Sequence, residues 1–362
     1  MGPSLDRTAA SMRAQRSKEK DRKATGRPQE AGSEGTGSVP SVRRVPGIPL
    51  VTACLIVRDE AAHLEACLAA VQPFVDEVVV ADTGSSDDTV AMARAAGARV
   101  VEIAWTDDFA AARNAALDLA SSSWVLSVDA DERVTGEPAA LRMLLQRGPS
   151  AAAFNVLIEQ TSAENPRGLM RHRGTKLFRP ELARWRGRVH ERVVQPDGSE
   201  VAGRTMPEET LAFTHLGYAT ADAFEHRARR NARLAELELA DLTASGAPAF
   251  ELVRARLDLG RSLISHLDPE RGRVILQQVR AATMPGEPAW LWATDFLAWD
   301  AVRHERPEAA RDLLVELGAA GAPADYLLNL AGAIAGVLGD HALAERFRAQ
   351  ITRRVSVTGQ PG

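Results

Sequence analysis

The sequence has only two cysteines, Cys54 and Cys67, which is too few for the disulfide framework of a small secreted domain. They do not form a CxxC pair, and this argues against a thiolate metal site or a dithiol redox site. We therefore expect both side chains to be reduced, buried thiols. A single disulfide between them is the alternative.

The sequence is equally poor in net charge and in long apolar runs. A formal net charge of −4 over 362 residues does not indicate a protein that binds nucleic acid. No run approaches the ~18 consecutive apolar residues of a membrane-spanning helix, and the N-terminal residues lack the apolar core of a signal peptide. We predict a cytoplasmic protein that associates at most peripherally with the inner face of a membrane.

The composition and the length of the chain favour two folded domains and a disordered N-terminal tail. Hydrophobic residues make up 45% of the chain, which is enough for a sizeable core, and the length favours two domains. Residues 1–46 are rich in Ser, Gly, Pro and charge, so we predict a disordered basic tail. Contact of this tail with a membrane surface is the alternative. Its clustered positive charges are Arg13, Arg16, Lys18, Lys20, Arg22, Lys23 and Arg27.

Residues 47–217 alternate between strand and helix patterns. The alternation predicts a parallel sheet with helices on both faces, which later strands extend into a mixed sheet. The predicted strands are 50–57, 78–81, 99–103, 124–128, 154–159, 175–178 and 188–194. The fold class is therefore α/β, with a Rossmann-like mixed sheet.

Residues 218–355 are rich in Ala and Leu and show helical patterns that Gly and Pro interrupt at intervals. This pattern predicts an all-α domain of helical hairpins, similar to tetratricopeptide repeats. Residues 356–362 are predicted to form a second disordered tail.

The clearest chemical motif is the apolar strand 125–128, which ends in Asp129-Ala130-Asp131-Glu132. Ligands of open parallel sheets bind beyond the carboxyl ends of the strands, so Asp129 and Asp131 are expected in the binding crevice. A hard cation such as Mg2+ or Mn2+ takes oxygen ligands and leaves positions for substrate phosphates. A solvated turn after a strand would give the same pattern, and this is the alternative.

A second strand, from Glu77 to Asp82, also ends in a carboxylate. Asp82 can accept hydrogen bonds from a nucleobase or from ribose hydroxyls. In the loop that follows, Gly84 permits a tight turn. Ser85 and Asp88 predict a capping box at the start of the next helix.

Five blocks of the sequence resemble a known family. They are TACLIVRDE (52–60), VDEVVVADTGSSDDT (75–89), WTDDFAAARN (105–114), WVLSVDADE (124–132), and KLFR (176–179) paired with GRVHE (187–191). In this order they resemble the family-2 inverting glycosyltransferases with the GT-A fold, in the bacterial branch that carries tetratricopeptide-like repeats after the catalytic domain. The resemblance implies a GT-A domain over residues 47–217, a nucleotide-diphosphate sugar as donor, and Mn2+ or Mg2+ as cofactor.

The resemblance also implies roles for single residues. Asp82 would contact the base, and Arg113 would help to hold the nucleotide. Asp129 would contact ribose or metal, and Asp131 would be the principal metal ligand. Glu60 matches an acidic position beside the nucleotide, although Arg-Asp-Glu here replaces the commoner Lys-Asn-Glu or Tyr-Asn-Glu.

Glu191 and His190 are the candidates for the catalytic end of the site. An inverting transfer needs a base that removes the acceptor's proton, and we assign this role to Glu191. His190 is a candidate metal ligand or a group that stabilises the departing diphosphate, and His215 competes for the metal. For each histidine, a hydrogen-bonded packing role is the alternative.

We expect a metal-dependent inverting glycosyltransferase that uses a UDP-sugar and an unidentified glycan, lipid-linked or peptide acceptor, in cell-envelope glycan or glycoconjugate synthesis. One alternative is a sugar-phosphate nucleotidyltransferase, although no Gly-rich phosphate loop with a following Lys lies near the first strand. The other is a non-catalytic scaffold whose helical domain contacts proteins, although acidic residues at two strand ends argue against it.

Overall fold

The computed structural model of the chain describes residues 49–160, 170–216, 221–264, 267–352 and 355–359. The chain divides into two compact units after Thr220, whereas the sequence placed the boundary after residue 217. The basic tail predicted for residues 1–46 lies outside the described residues. No helix within these ranges is both long enough and apolar enough to cross a membrane.

The first unit is built around a mixed sheet. Its strands are β1 Val51–Val57, β2 Glu77–Asp82, β3 Arg99–Glu102, β4 Trp124–Val128, β5 Glu132–Thr135, β6 Ala153–Gln160, β7 Met170–Phe178, β8 Arg184–Arg186, β9 Arg192–Val194, β10 Gly203–Thr205 and β11 Ala212–His215. Its helices are α1 Ala61–Val71, α2 Thr89–Ala95, α3 Phe109–Leu117 and α4 Pro138–Gln146.

The strand order is β3-β2-β1-β4-β7-β6-β11-β5, with β10 beside β6 and with β8 and β9 in a separate hairpin. The first four strands are parallel, and β7 is the first that runs antiparallel to its neighbours. Val57 pairs with Asp82 and Leu55 pairs with Val128, so β2 and β4 end at the same edge of the sheet. The predicted mixed α/β sheet is confirmed.

Apolar side chains cover both faces of this sheet because successive residues of a strand point to opposite faces. In β4, Trp124 and Leu126 join one cluster with Leu64 and Leu68 of α1. Val125 joins the other cluster, with Ala116 of α3. Burial on both faces explains why β4 is mostly apolar, with Ser127 as its one polar residue, and why carboxylates appear only beyond Val128.

The predicted strand at residues 188–194 is wrong in its first half. β9 begins only at Arg192, and residues 187–191 form the turn that joins it to β8. Gly187 and His190 have φ angles of 108° and 53°. Their left-handed backbone bends the chain, so alternation of apolar residues alone predicted too long a strand.

The second unit is all-α, as predicted. Its helices are α5 Ala221–Ala244, α6 Ala249–Ile264, α7 Pro269–Ala281, α8 Pro288–Arg303, α9 Pro307–Ala319, α10 Ala324–Val337 and α11 His341–Arg348. Three of them begin with proline at the first or second position, where the missing N–H has no helical partner to lose. Val357, which the sequence placed in a disordered tail, is 1% exposed in the core of this unit.

Candidate active site

The end of β4 turns sharply from Asp129 to Glu132. The backbone N–H of Glu132 donates to the carbonyl of Asp129 at 2.9 Å. The backbone N–H of Asp129 donates in return to the Glu132 carboxylate at 2.9 Å. Asp131 lies inside this turn, so the two aspartates of the motif have different surroundings.

Asp129 is paired with two cations. Nη2 of Arg113 donates to Oδ1 at 2.8 Å, and Nζ of Lys176 lies 3.3 Å from Oδ2. Burial by itself would raise the pKa of Asp129, but the charges of Arg113 and Lys176 outweigh it and hold the pKa below its ordinary value. Asp129 is therefore an ionised carboxylate whose two oxygens are both engaged by protein cations.

Arg113 joins three parts of the chain at one guanidinium. Besides Asp129, it donates from Nε to Glu191 at 2.6 Å and from Nη1 to Oγ of Ser127 at 3.1 Å. Its guanidinium carbon lies 5.1 Å from the ring centroid of Trp185. The side chain is only 11% exposed. The structure thus brings together Arg113, Asp129 and Glu191, which were each predicted as site residues.

Helix α3 and the β8–β9 hairpin are held to each other by several bonds around this arginine. The side chain of Asn114, next to Arg113, pairs with both the N–H and the carbonyl of Trp185 at 3.1 and 2.9 Å. The N–H of Phe109 donates to the carbonyl of Arg188 at 3.0 Å. These contacts explain why the block at 105–114 and the block at 187–191 form one site.

Lys176 and Glu132 form a buried ion pair that the sequence analysis did not assign to the site. Nζ of Lys176 lies 2.8 Å from the Glu132 carboxylate, and the two side chains are 11% and 4% exposed. Burial raises the pKa of Glu132, although the charge of Lys176 opposes this. Both residues lie in sequence blocks that resemble the family. Their position in these blocks was the one feature of the sequence that could have assigned them to the site.

Asp131 is bound by β11 instead. Its Oδ2 lies 2.8 Å from Nε2 of His215, and its carbonyl accepts the N–H of Leu216 at 3.0 Å. β11 runs antiparallel to β5 with His215 opposite Glu132, and this register places the ring beside the turn. The hydrogen bond to Asp131 raises the pKa of His215 and outweighs its partial burial. The structure therefore brings Asp131 and His215 together, as predicted for a shared site.

Asp82 is buried, and its carboxylate binds the loop that follows β2. It is 2% exposed, and its carboxylate accepts the N–H groups of Gly84 and Ser85 at 2.9 and 3.0 Å and the hydroxyl of Ser85. Two strand spacings separate it from β4, or about 10 Å. In this conformation Asp82 holds the loop that follows β2, and its contact with a nucleobase stays a prediction.

The predicted capping box of Ser85 and Asp88 is wrong. Asp88 precedes α2 but makes no side-chain capping bond. The hydroxyl of Ser85 binds Asp82 and accepts the N–H of Asp59 at 2.9 Å, so it joins the first two strand-end loops. Glu60 lies in the first of these loops, where its N–H donates to the hydroxyl of Thr89 at 2.8 Å.

The donor set for a divalent cation is small. Among the described residues, no group of three or more His, Cys, Asp and Glu side chains is arranged to hold a metal. Asp131 and His215 supply one oxygen and one nitrogen, and Mg2+ or Mn2+ commonly takes one or two protein ligands with water and phosphate at its other positions. Asp131 and His215 are thus the two side chains at this turn that could contribute ligands to such an ion, whereas Asp129 is paired with Arg113 and Lys176.

His190 lies beside Glu191 in the turn between β8 and β9, and its side chain is partly buried. Its φ of 53° is uncommon for a residue with a Cβ atom and stores of order 1 kcal/mol of strain or more. The turn therefore constrains His190, but its proposed role toward metal or diphosphate stays a prediction.

Comparison with known proteins gives a family match over most of this unit. Residues 52–191 match the model of the glycosyl transferase family 2. A TPR repeat-containing protein of Synechococcus elongatus is 40% identical over 200 residues, which are 53% of this chain and 48% of that protein. An uncharacterised glycosyltransferase of Rickettsia felis is 37% identical over 87 residues, which are 24% of this chain and 30% of that protein. The chain thus spans half or less of the length of these relatives.

A solved structure of glucosyl-3-phosphoglycerate synthase from Mycobacterium tuberculosis is also similar. It is 24% identical, and the match covers 32% of this chain and 45% of that one with a TM-score of 0.26. That enzyme was solved with Mn2+, UDP-glucose and phosphoglyceric acid.

Proposed function

We propose that this chain, whose residues 52–191 match the glycosyl transferase family 2, is a metal-dependent inverting glycosyltransferase. The proposed donor is a nucleotide-diphosphate sugar, with uridine diphosphate as the first nucleotide to test. The proposed acceptor is a hydroxyl group. The observation that carries the proposal is the convergence of Arg113, Asp129 and Glu191 beside the Asp131–His215 pair.

The metal end of the site is proposed at Asp131 and His215. These two side chains are 30% and 23% exposed, whereas the neighbouring Glu132 and Lys176 are almost closed to solvent. A bound Mn2+ or Mg2+ would neutralise the donor's diphosphate and the charge that grows on it as it departs. His215 binds a cation only in its neutral form, so protons compete with the metal for this residue.

The acceptor end is proposed at Glu191. In an inverting transfer, the acceptor oxygen forms a bond to the anomeric carbon while the bond from that carbon to the diphosphate breaks, and the electron pair leaves with the nucleotide. The acceptor's proton passes to the Glu191 carboxylate. Arg113 binds Glu191 at 2.6 Å from the side of α3, and this contact fixes the orientation of the carboxylate.

A donor-hydrolysis assay tests the proposal without knowledge of the acceptor. The purified chain is incubated with a panel of UDP-sugars and Mn2+, and release of UDP is measured. We expect slow metal-dependent release that Asp131→Ala lowers by at least about 100-fold, as for loss of a group that stabilises the departing charge. Asp118→Asn is the matched control, because Asp118 is 60% exposed and pairs with Arg184 on the surface.

Each outcome of this assay has a distinct meaning. Full activity of Asp131→Ala with a normal dependence on Mn2+ would contradict the role of Asp131. Cleavage of nucleoside triphosphates in the presence of a sugar phosphate, with no release from UDP-sugars, would favour nucleotidyl transfer. Absence of any donor binding or turnover across several nucleotides would contradict the enzymatic function.

A further inference from the structure

Lys176 is aimed at the site by an irregularity in its strand. β6 and β7 pair Asn155 with Thr175 and Phe154 with Leu177, so Lys176 is an extra residue between two consecutive pairs. Such a bulge re-aims a side chain and is maintained where that direction matters. Here the side chain crosses to the turn after β4, and its ammonium lies above the ring of Phe213 at 5.4 Å.

At the turn, Lys176 closes a ring of polar contacts. Its ammonium binds the carboxylates of both Asp129 and Glu132, at 3.3 and 2.8 Å. Glu132 in turn accepts the backbone N–H of Asp129 at 2.9 Å. The first and last residues of the turn are therefore held together by their backbones and by a shared cation, while Asp131 stands between them.

We propose that Lys176 is a positioning residue for cation binding: through Glu132 and Asp129 it holds the turn in the shape that presents Asp131. The inference rests on the proposed function, because it concerns the same metal end of the site. Lys176 itself does not contact the cation or the donor in this scheme. It acts on the backbone from which Asp131 projects.

Because Glu132 is buried, the residue that holds it must carry a positive charge, as Lys176 does. Glu132 is 3% exposed, so without Lys176 its charge would lie in the interior with no cation paired to it. A buried charge with no cation beside it is driven toward water. That movement breaks its bond to the N–H of Asp129, and the turn then loses its shape.

The experiment compares Lys176→Met with Arg179→Met in the full chain. Arg179 is the matched control because it is a cation three positions further along, is 1% exposed, and contacts the carbonyl of Pro149 and the ring of Trp124, which lies at the opposite end of β4 from the turn. Both variants lose a buried cation and are expected to unfold at lower temperature. Circular dichroism identifies a temperature at which both remain folded.

At that temperature, binding of Mn2+ in the presence of UDP is followed by the electron paramagnetic resonance signal of free Mn2+. We expect Lys176→Met to raise the dissociation constant about 10-fold or more, as for loss of an outer-shell partner of a metal ligand. Arg179→Met should change it less than about twofold. If Lys176→Met does not fold, Glu132→Gln is the second test variant. It should also raise the dissociation constant for Mn2+, because it removes the charge that Lys176 binds.

The outcomes separate this inference from the proposed function. Equal Mn2+ affinity of the unaltered protein and folded Lys176→Met, or of the unaltered protein and Glu132→Gln, would overturn the positioning role alone. An equal loss in Arg179→Met would also overturn it, because the effect would then be general destabilisation. Absence of Mn2+ binding by the unaltered protein would overturn the proposed metal dependence, and this inference with it.

Discussion

Replacement of Arg113 by alanine tests whether the centre of the site is a buried charge network. Arg113 is 11% exposed and is bound to two carboxylates, at 2.8 Å to Asp129 and at 2.6 Å to Glu191. In Arg113→Ala, Asp129 keeps Lys176, but Glu191 loses its partner on α3. The variant therefore leaves negative charge in the interior with only part of its compensation.

The expected magnitude follows from the bonds that are lost. A hydrogen bond to a charged group contributes about 1.5–3 kcal/mol, so two of them give ~3–6 kcal/mol. Removing one partner of a buried ion pair gives about 3–5 kcal/mol, in agreement. We expect the free energy of unfolding to fall by ~3–5 kcal/mol at pH 7, together with loss of donor turnover.

The loss should depend on pH in one direction. The pKa of Asp129 is depressed in the folded protein, so its contribution to stability is present above the unfolded value of about 4 and disappears as the pH falls through the lower folded value. Without Arg113 the folded pKa rises toward the unfolded one. We therefore expect the destabilisation of Arg113→Ala to be steady between pH 6 and 8 and to shrink below about pH 4.

The assay is urea unfolding followed by circular dichroism, with Arg94→Ala as the control. Arg94 also binds a carboxylate at 2.6 Å, that of Glu102, but both side chains are more than half exposed. Exposed pairs contribute at most about 1 kcal/mol. If the two variants lose the same stability, or if Arg113→Ala loses less than about 1 kcal/mol, the reasoning from burial is refuted.

Three further predictions concern other parts of the first unit. His215→Leu should lose more stability at pH 6 than at pH 9, because the bond to Asp131 raises the pKa of His215 in the folded protein. The stabilisation from this bond disappears as the pH rises through that pKa, so the reverse trend in urea unfolding would contradict the prediction. Gly136→Ala should lower the free energy of unfolding by about 1–3 kcal/mol more than Gly84→Ala does. Both glycines have positive φ, but only at Gly136 would a Cβ lie 2.5 Å from a backbone carbonyl oxygen, that of Thr210; equal melting temperatures of the two variants would refute the packing argument. Burial raises the pKa of Cys67 to about 12, so iodoacetamide at pH 8 should label it only after unfolding, as read by peptide mass, and rapid native labelling would count against that burial.

The local elements were largely predictable from the sequence. Strand β4 at Trp124–Val128 has the predicted bounds, and helix α4 at Pro138–Gln146 begins at a proline. Each is defined by its own residues, because a mostly apolar run without charges suits a strand buried on both faces and a proline suits the first turn of a helix. The prediction was wrong at residues 188–191, where Gly187 and His190 turn the chain.

The sequence alone also placed Asp129, Asp131, Arg113 and Glu191 at one site, through the family resemblance of their blocks. It could not tell which partner each carboxylate has. Ser85 was predicted to cap a helix, yet its hydroxyl binds Asp82. A hydroxyl can bind any polar group within hydrogen-bond distance. Sequence spacing predicts which group that is only when both lie in the same helix or turn.

The sequence by itself thus determined the first four strands of the parallel part of the sheet, the division into an α/β unit and an all-α unit, and the presence of carboxylates at strand ends. It did not predict β5, β8, β10 or β11. Only the tertiary structure decided that the two aspartates of one short motif differ, with Asp129 facing Arg113 and Lys176 and Asp131 facing His215. The physical reason is that these partners come from α3, β7 and β11, far apart along the chain. Sheet register and the bulge at Lys176, rather than local pattern, bring them within hydrogen-bond distance.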